Sequence, residues 1–127
     1  MAKLILVEDD PFLLSILVEK MKEAGFDVET ATDGEDGLNK IKTGNFDLVL
    51  LDMVLPKKDG FKILEEIRDD NQIKKVPVIV LSNLYDKRNI EKAILLGARD
   101  YVVKAYNTPE EIVFKIKSFL VKEGVNN

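Results

Sequence analysis

The sequence contains no cysteine and no histidine. Without cysteine there are no disulfides and no thiolate zinc sites. Without histidine there is no Ser-His-Asp or Cys-His nucleophile system, and no imidazole can ligate a metal. Any metal held by these side chains is hard and oxygen-bound. No apolar run approaches the roughly 20 residues of a membrane span. Met1-Ala2-Lys3 leads straight into a strand-like run, with no secretory signal. Both features predict a cytoplasmic protein. There is no excess of positive charge either: Lys+Arg 19 against Asp+Glu 23 gives a net charge of -4, which argues against a nucleic-acid-binding surface. The 127 residues suffice for one domain with its own core. We expect that domain to span residues 1–127, with 124–127 frayed.

What the chain does have is an apolar run between two acids, Asp47-Leu48-Val49-Leu50-Leu51-Asp52. A strand apolar on both faces is covered on both faces, as central parallel strands are. Open α/β folds place their ligands at the carboxyl ends of such strands, so Asp52 sits where chemistry is done. A first buried strand, Lys3–Val7, precedes Glu8-Asp9-Asp10 and Pro11. Asp10 there reads as a helix N-cap and Pro11 as the first helical residue. Phe12, Leu13, Ile16, Leu17 and Met21 recur at helical spacing, and Gly25 stops that helix near Ala24. Phe26–Ala31 alternates, like a half-exposed strand near an edge. Asp33 caps a helix carrying Leu38 and Ile41, ended around Gly44. After a Pro- and Gly-punctuated loop, Phe61, Ile63, Leu64 and Ile67 mark a third helix. Val76–Leu81 is a fourth strand with Pro77 at its entrance. Ile90, Ala93, Ile94 and Gly97 mark one face of a fourth helix, and Tyr101–Val103 a fifth strand ended by Lys104. Thr108-Pro109-Glu110-Glu111 has capping-box spacing and opens a terminal helix lined by Ile112, Val113, Ile116, Phe119 and Leu120. The alternation predicts an α/β fold: a doubly wound five-stranded parallel sheet with helices on both faces. Its expected order is 2-1-3-4-5, flavodoxin-like. Strands one and three are then neighbours, and Glu8 and Asp9 stand beside Asp52.

Four strand ends thus carry Glu8-Asp9, Asp52, Ser82 and Lys104 to one edge. Clustered carboxylates repel one another strongly in a low dielectric. A divalent cation removes that cost, and Mg²⁺ suits a few carboxylates with waters and a substrate phosphate. A carboxylate beside a metal and a lysine can attack phosphorus and form an aspartyl phosphate.

The runs Leu4–Asp10, Leu50–Gly60, Val78–Ser82 and Tyr101–Lys104 resemble the receiver domain of two-component response regulators, in the right order and over essentially the whole chain. The resemblance implies Asp52 as phosphoacceptor, with Lys104 and Ser82 binding the phosphoryl group. It implies a Mg²⁺ site (Mn²⁺ as a second candidate) made by Asp9, Asp52 and the backbone carbonyl of Val54, with Glu8 acting through water. Ser82 and Tyr101 would be the switch pair, and the fourth helix, fifth strand and fifth helix the output surface. The phosphoryl donor would be a histidine kinase or histidine phosphotransfer protein; having no histidine, this chain is not its own histidine donor. A downstream protein target and a phosphorylation-dependent homodimer are further expectations; direct nucleic-acid or membrane binding is not expected. Intrinsic self-phosphorylation and autophosphatase activity should be weak.

Two departures from the family matter. Members usually carry proline, with a cis peptide, after the strand-five lysine; here that residue is Ala105. A cis Lys104–Ala105 bond would cost about 2.5–4 kcal/mol, so its isomer is left open. Val54 and Leu84, two residues beyond Asp52 and Ser82, stand where the family tunes dephosphorylation, and both are apolar. Slow autodephosphorylation is the expectation. The alternative reading is a pseudo-receiver, a phosphorylation-independent protein-binding scaffold; the intact Glu8, Asp9, Asp52 and Lys104 set opposes it. A flavin-binding protein would want a Ser/Thr/Gly-rich phosphate loop after strand one, and an Asp-nucleophile phosphatase a second acid where Val54 stands. Phe12, Phe61, Phe114 and Phe119 are assigned to packing, Phe114 with its exposure left open, and Lys57-Lys58 to the surface. With the fifth helix closing the sequence, no output domain is expected within it, whether the chain stands alone or belongs to a longer regulator.

Overall fold

The computed structural model describes residues 1–125. Its elements run β1 (Lys3–Val7), α1 (Pro11–Glu23), β2 (Asp27–Ala31), α2 (Gly34–Gly44), β3 (Leu48–Leu51) and α3 (Gly60–Asp69). Then come β4 (Val78–Ser82), α4 (Lys87–Leu95), β5 (Asp100–Val103), a 3₁₀ turn (Lys104–Tyr106) and α5 (Pro109–Lys122). The sheet is five-stranded and parallel, in the order β2-β1-β3-β4-β5, as the alternation of patterns predicts.

The central strands each carry a run of at least four apolar residues because each serves two layers. Ile5, Val7, Val49, Leu51, Val78 and Val80 face one core, with Leu38 and Ile41 of α2, Ile63, Leu64 and Ile67 of α3 and Ala93 of α4. Their strand neighbours Leu4, Leu6, Leu48, Leu50, Ile79 and Leu81 face the other, with Leu17 and Met21 of α1 and Ile112, Ile116 and Leu120 of α5. Burying both faces of every inner strand keeps the backbone ladder dry. Local chemistry sets the helix ends. Asp10 Oδ1 accepts from the N–H groups of Phe12 and Leu13 at 2.9 and 3.3 Å. Asp33, Asp59 and Asp86 cap α2, α3 and α4 in the same way. Thr108 and Glu111 form the reciprocal capping box of α5.

Several expectations are corrected. Phe12 is 80 % exposed and Ile16 41 %, so neither belongs to the core; Leu14 and Val18 pack there with Leu13. Phe114, 70 % exposed, lies on the surface too. Ile94 is largely exposed, and Gly97 lies beyond α4 with φ +110°. Asp47 is outside β3, because its carboxylate accepts the Lys3 N–H at 2.8 Å. β4 starts at Val78, two residues later than expected, and ends on Ser82; β5 begins at Asp100. Lys58 is not a free surface lysine: its ammonium pairs with Glu66 at 2.6 Å. Of the expected frayed tail, residues 126–127 lie outside the described residues.

Candidate active site at the carboxyl edge of the sheet

Strand register alone assembles the site. Val7 pairs with Leu51 and Leu51 with Val80, so Glu8 and Asp52 leave the sheet side by side. Ser82 pairs with Val103, which brings Lys104 to the same edge. Carboxylate oxygens of Glu8, Asp9 and Asp52 all lie within 4.8 Å of one another. Glu8 and Ser82 are fully buried and Asp52 nearly so, whereas Asp9 is exposed. Asp9, Asp52, Val54, Ser82, Asn83, Leu84 and Lys104 line a cleft of ≈ 280 Å³.

Lys104 is shared. Its ammonium sits 2.5 Å from Glu8 Oε1 and donates to Asp52 Oδ2 at 2.8 Å. The buried Glu8 Oε1 is held by this ammonium as a close ion pair. Glu8 Oε2 accepts the Asp10 N–H at 2.9 Å, and Asp52 Oδ1 the Val54 N–H at 3.3 Å. Three carboxylates therefore face one ammonium, leaving two negative charges uncompensated in the cluster. A doubly charged cation with hard oxygen preference matches that remainder. The donor set fits such an ion: three carboxylates offer oxygens within 4.8 Å of one another, and Asp9 among them is open to solvent.

Burial pushes the Glu8 carboxyl above its ordinary value, and Lys104 and the Asp10 N–H recover only part of the shift. Burial would lower Lys104, but Asp52 and then Glu8 outweigh it and hold the ammonium above the usual lysine range. A pH dependence follows for the metal-free protein. Folded Glu8 binds its proton more tightly than unfolded Glu8, so its contribution to stability is complete below pH 4.5 and lost as pH rises through the higher folded pKa. The stability of the wild type minus that of Glu8→Gln should therefore fall with rising pH across that window. Urea titrations in chelator at several pH values measure it, and a rising difference would contradict it.

The second half of the site is the β4–α4 loop. Ser82 Oγ accepts the Leu84 N–H at 3.2 Å, and the Tyr101 hydroxyl donates to the Leu84 carbonyl at 2.5 Å. The Tyr101 ring is half-buried against the α2–α3–α4 core, and burial raises its phenol pKa. Val54 is 60 % exposed at the cleft mouth, while the Leu84 side chain packs toward the core. The Lys104–Ala105 bond is trans. The Ala105 N–H donates to Asn83 Oδ1 at 3.0 Å, a contact no sequence pattern announces. All the residues singled out from sequence (Glu8, Asp9, Asp52, Val54, Ser82, Leu84, Tyr101 and Lys104) gather here. The sequence reading missed Asn83 as a lining residue.

Comparison with known proteins agrees with this geometry. The response regulator receiver domain model matches residues 4–117. The chain is 31% identical to the alkaline phosphatase synthesis transcriptional regulatory protein PhoP of Bacillus subtilis (strain 168), over 97% of this chain and 50% of that protein. It spans about half the length of the curated relatives it matches. Among solved structures, a CheY-like response regulator receiver domain protein from Methanospirillum hungatei JF-1 superposes with a TM-score of 0.89 at 26% identity, covering 98% of this chain and 97% of that one. The receiver domain of sensor histidine kinase PA1611 from Pseudomonas aeruginosa PAO1, with a magnesium ion in its active site cleft, gives a TM-score of 0.82 at 25% identity, with 92% and 95% covered. An edge with three convergent acids and one lysine, on this strand order and under this family match, assigns the chain to the response regulator receiver domains of two-component signalling.

Proposed function

We propose that the domain accepts a phosphoryl group on Asp52 from a phosphohistidine of a separate histidine kinase or phosphotransfer protein. The Asp52 carboxylate attacks phosphorus, the P–O bond forms, the P–N bond breaks, and the imidazole leaves. The observation that carries this reading is the uncompensated negative charge at an open cleft beside a shared lysine. Asp9, Asp52 and the Val54 carbonyl would hold Mg²⁺, or Mn²⁺, with Glu8 reaching it through water. A bound divalent ion supplies charge compensation for the transferring oxygens. Lys104 exchanges part of its contact with Asp52 for a phosphoryl oxygen, and the Ser82 hydroxyl donates to another. The magnesium-bound PA1611 receiver supports the metal assignment by likeness.

The phosphorylated side chain carries up to about -2 of charge where the carboxylate carried -1, a net gain of roughly -1. When Ser82 turns to it, Ser82 Oγ releases the Leu84 N–H, and the residue whose carbonyl holds the Tyr101 hydroxyl is freed to move. That biases the α4–β5–α5 face between two states read by a partner protein or a second copy. The test is Mg²⁺ with beryllofluoride, followed by amide NMR, together with phosphoryl uptake from acetyl phosphate by intact mass. Shifts at residues 52, 82 and 104 with a phosphoryl mass gain are expected. A chain that takes up neither is a binding scaffold, and the proposal fails.

The phosphoryl group should persist for minutes or longer once formed. Neither the exposed Val54 nor the inward Leu84 offers a polar side-chain atom to orient attacking water. Following the mass gain after donor removal with Mg²⁺ present measures the lifetime, and decay within seconds would sink the idea.

A further inference from the structure

The residue after Lys104 is one that keeps its backbone donor. The Ala105 N–H points back across the last pair of strands and is taken by the Asn83 side chain at 3.0 Å. Because Ser82 pairs with Val103, this bond is an extra rung at the end of the β4–β5 ladder, made by a side chain. It joins the loop that follows Ser82 to the turn that carries Lys104. Two more contacts join the same segments: the Tyr101 hydroxyl on the Leu84 carbonyl, and the rings of Tyr85 and Tyr106 with centroids 5.9 Å apart. Residues 83, 84 and 85 are thus each fastened to β5 or to the turn that follows it. Asn83 differs from the other two because it lines the cleft and is tied by a side-chain hydrogen bond, whereas Leu84 is held through its backbone carbonyl and Tyr85 by ring packing.

We infer that Asn83 is a positioning residue for phosphoryl transfer, acting through the Ala105 N–H to set the turn from which Lys104 reaches Asp52. The inference rests on the phosphoacceptor reading above. Lys104 begins a turn three residues long; the Asn107 side-chain amide holds the turn to the Val103 carbonyl at 2.8 Å, and the Asn83 bond ties it across to the β4–α4 loop. A turn this short draws its orientation from what its next residue is tied to. With the acceptor gone, the Ala105 N–H turns to water and the Lys104 stem gains freedom, while the acids that follow β1 and β3 stay in place. The cost falls on the geometry of transfer and spares metal affinity. Small displacements of a reacting group can cost up to about 100-fold in rate.

The experiment is a four-protein cycle: wild type, Asn83→Ala, Ala105→Pro and the double variant. Each is assayed for the rate of phosphorylation by acetyl phosphate and for the Mg²⁺ Kd. Asn83 is exposed, so its alanine variant keeps the core intact. Asn83→Ala should slow phosphorylation about tenfold, with the Mg²⁺ Kd within about twofold of wild type. Its Ala105 amide resonance should move upfield. In the Ala105→Pro background there is no N–H to hold, so Asn83→Ala should change the rate less than about twofold. An equal loss in both backgrounds, or no loss in the first, overturns the inference. Should Ala105→Pro unfold, the acceptor-retaining Asn83→Asp takes its place: a retained Ala105 amide shift supports the bond, and its loss opposes it. A wild type that takes up no phosphoryl group would instead defeat the phosphoacceptor reading itself.

Discussion

Asp52→Asn should abolish phosphoryl uptake from acetyl phosphate while leaving the fold intact. Asparagine keeps the shape of the side chain, and its carbonyl oxygen can still accept the Val54 N–H that Asp52 Oδ1 now holds at 3.3 Å. What disappears is the anionic oxygen that attacks in the proposed transfer. An amide is a poor nucleophile, and removal of the nucleophile from an enzyme costs up to roughly 10⁶-fold, so uptake should fall below detection. Lys104 would keep its Glu8 partner at 2.5 Å, so no buried cation is stranded. Intact mass after incubation with donor and Mg²⁺ checks the result, with the exposed edge-strand variant Asp27→Asn as a control that should phosphorylate normally. Uptake by Asp52→Asn at the control rate would place the acceptor elsewhere.

Gly34→Ala should be among the most damaging small substitutions outside the cleft. A Cβ at Gly34 would lie 1.7 Å from the backbone carbonyl oxygen of Lys58, with the carbonyl carbon at 2.7 Å. A side chain can rotate away from such an approach; a carbonyl moves only with its loop. That loop is also pinned by the Gly34 N–H, which donates to the Pro56 carbonyl at 3.1 Å. The N-terminus of α2 and the β3–α3 loop would have to part. Overpacking of this kind costs about 3 kcal/mol, or on the order of 10 °C in Tm for a domain of this size. Gly37→Ala makes the comparison: its nearest obstacles are methyl groups of Val7, at 2.8 and 3.0 Å, a milder approach than 1.7 Å and one made to a side chain, not a backbone carbonyl. Thermal and urea unfolding of the two variants should rank Gly34→Ala well below Gly37→Ala. A loss under about 0.5 kcal/mol at Gly34, typical of surface positions, would refute the argument. The same loop carries Val54, so on the proposed Mg²⁺ site the Gly34 variant should also bind the ion more weakly.

Strand order and the gathered acids were legible because both depend on patterns the chain must obey. Four-residue apolar runs ending in polar groups fix the sheet edge, and parallel order then decides which acids meet. The phase of α1 was not legible, because Phe12 to Val18 is apolar at all but one position. Such a run does not reveal its outward stripe, and the contacts of Leu13, Leu14, Leu17 and Val18 turn Phe12 and Ile16 to solvent. Asp47 was read into β3 because an acid beside an apolar run looks like its boundary; its bond to the Lys3 N–H is a long-range contact with no local sign. Gly34 and Asn83 were missed for a related reason. One is defined by a neighbour's carbonyl and the other by a neighbour's amide, and backbone partners leave no trace in residue type. The nearest clue to Asn83 was the alanine at position 105, which leaves a donor in need of an acceptor.

β5 carries one further implication. Tyr101 belongs to the core beneath α2, α3 and α4, whereas its neighbour Val102 belongs to the core shared with α1 and α5. Only one covalent bond separates the two residues, yet the plane of the sheet lies between their side chains. Rearrangement of the tyrosine can therefore be absorbed on its own side, while the opposite layer keeps its packing as a fixed keel. Such a partition lets the molecule change the face it shows to partners without loosening the half that keeps it folded.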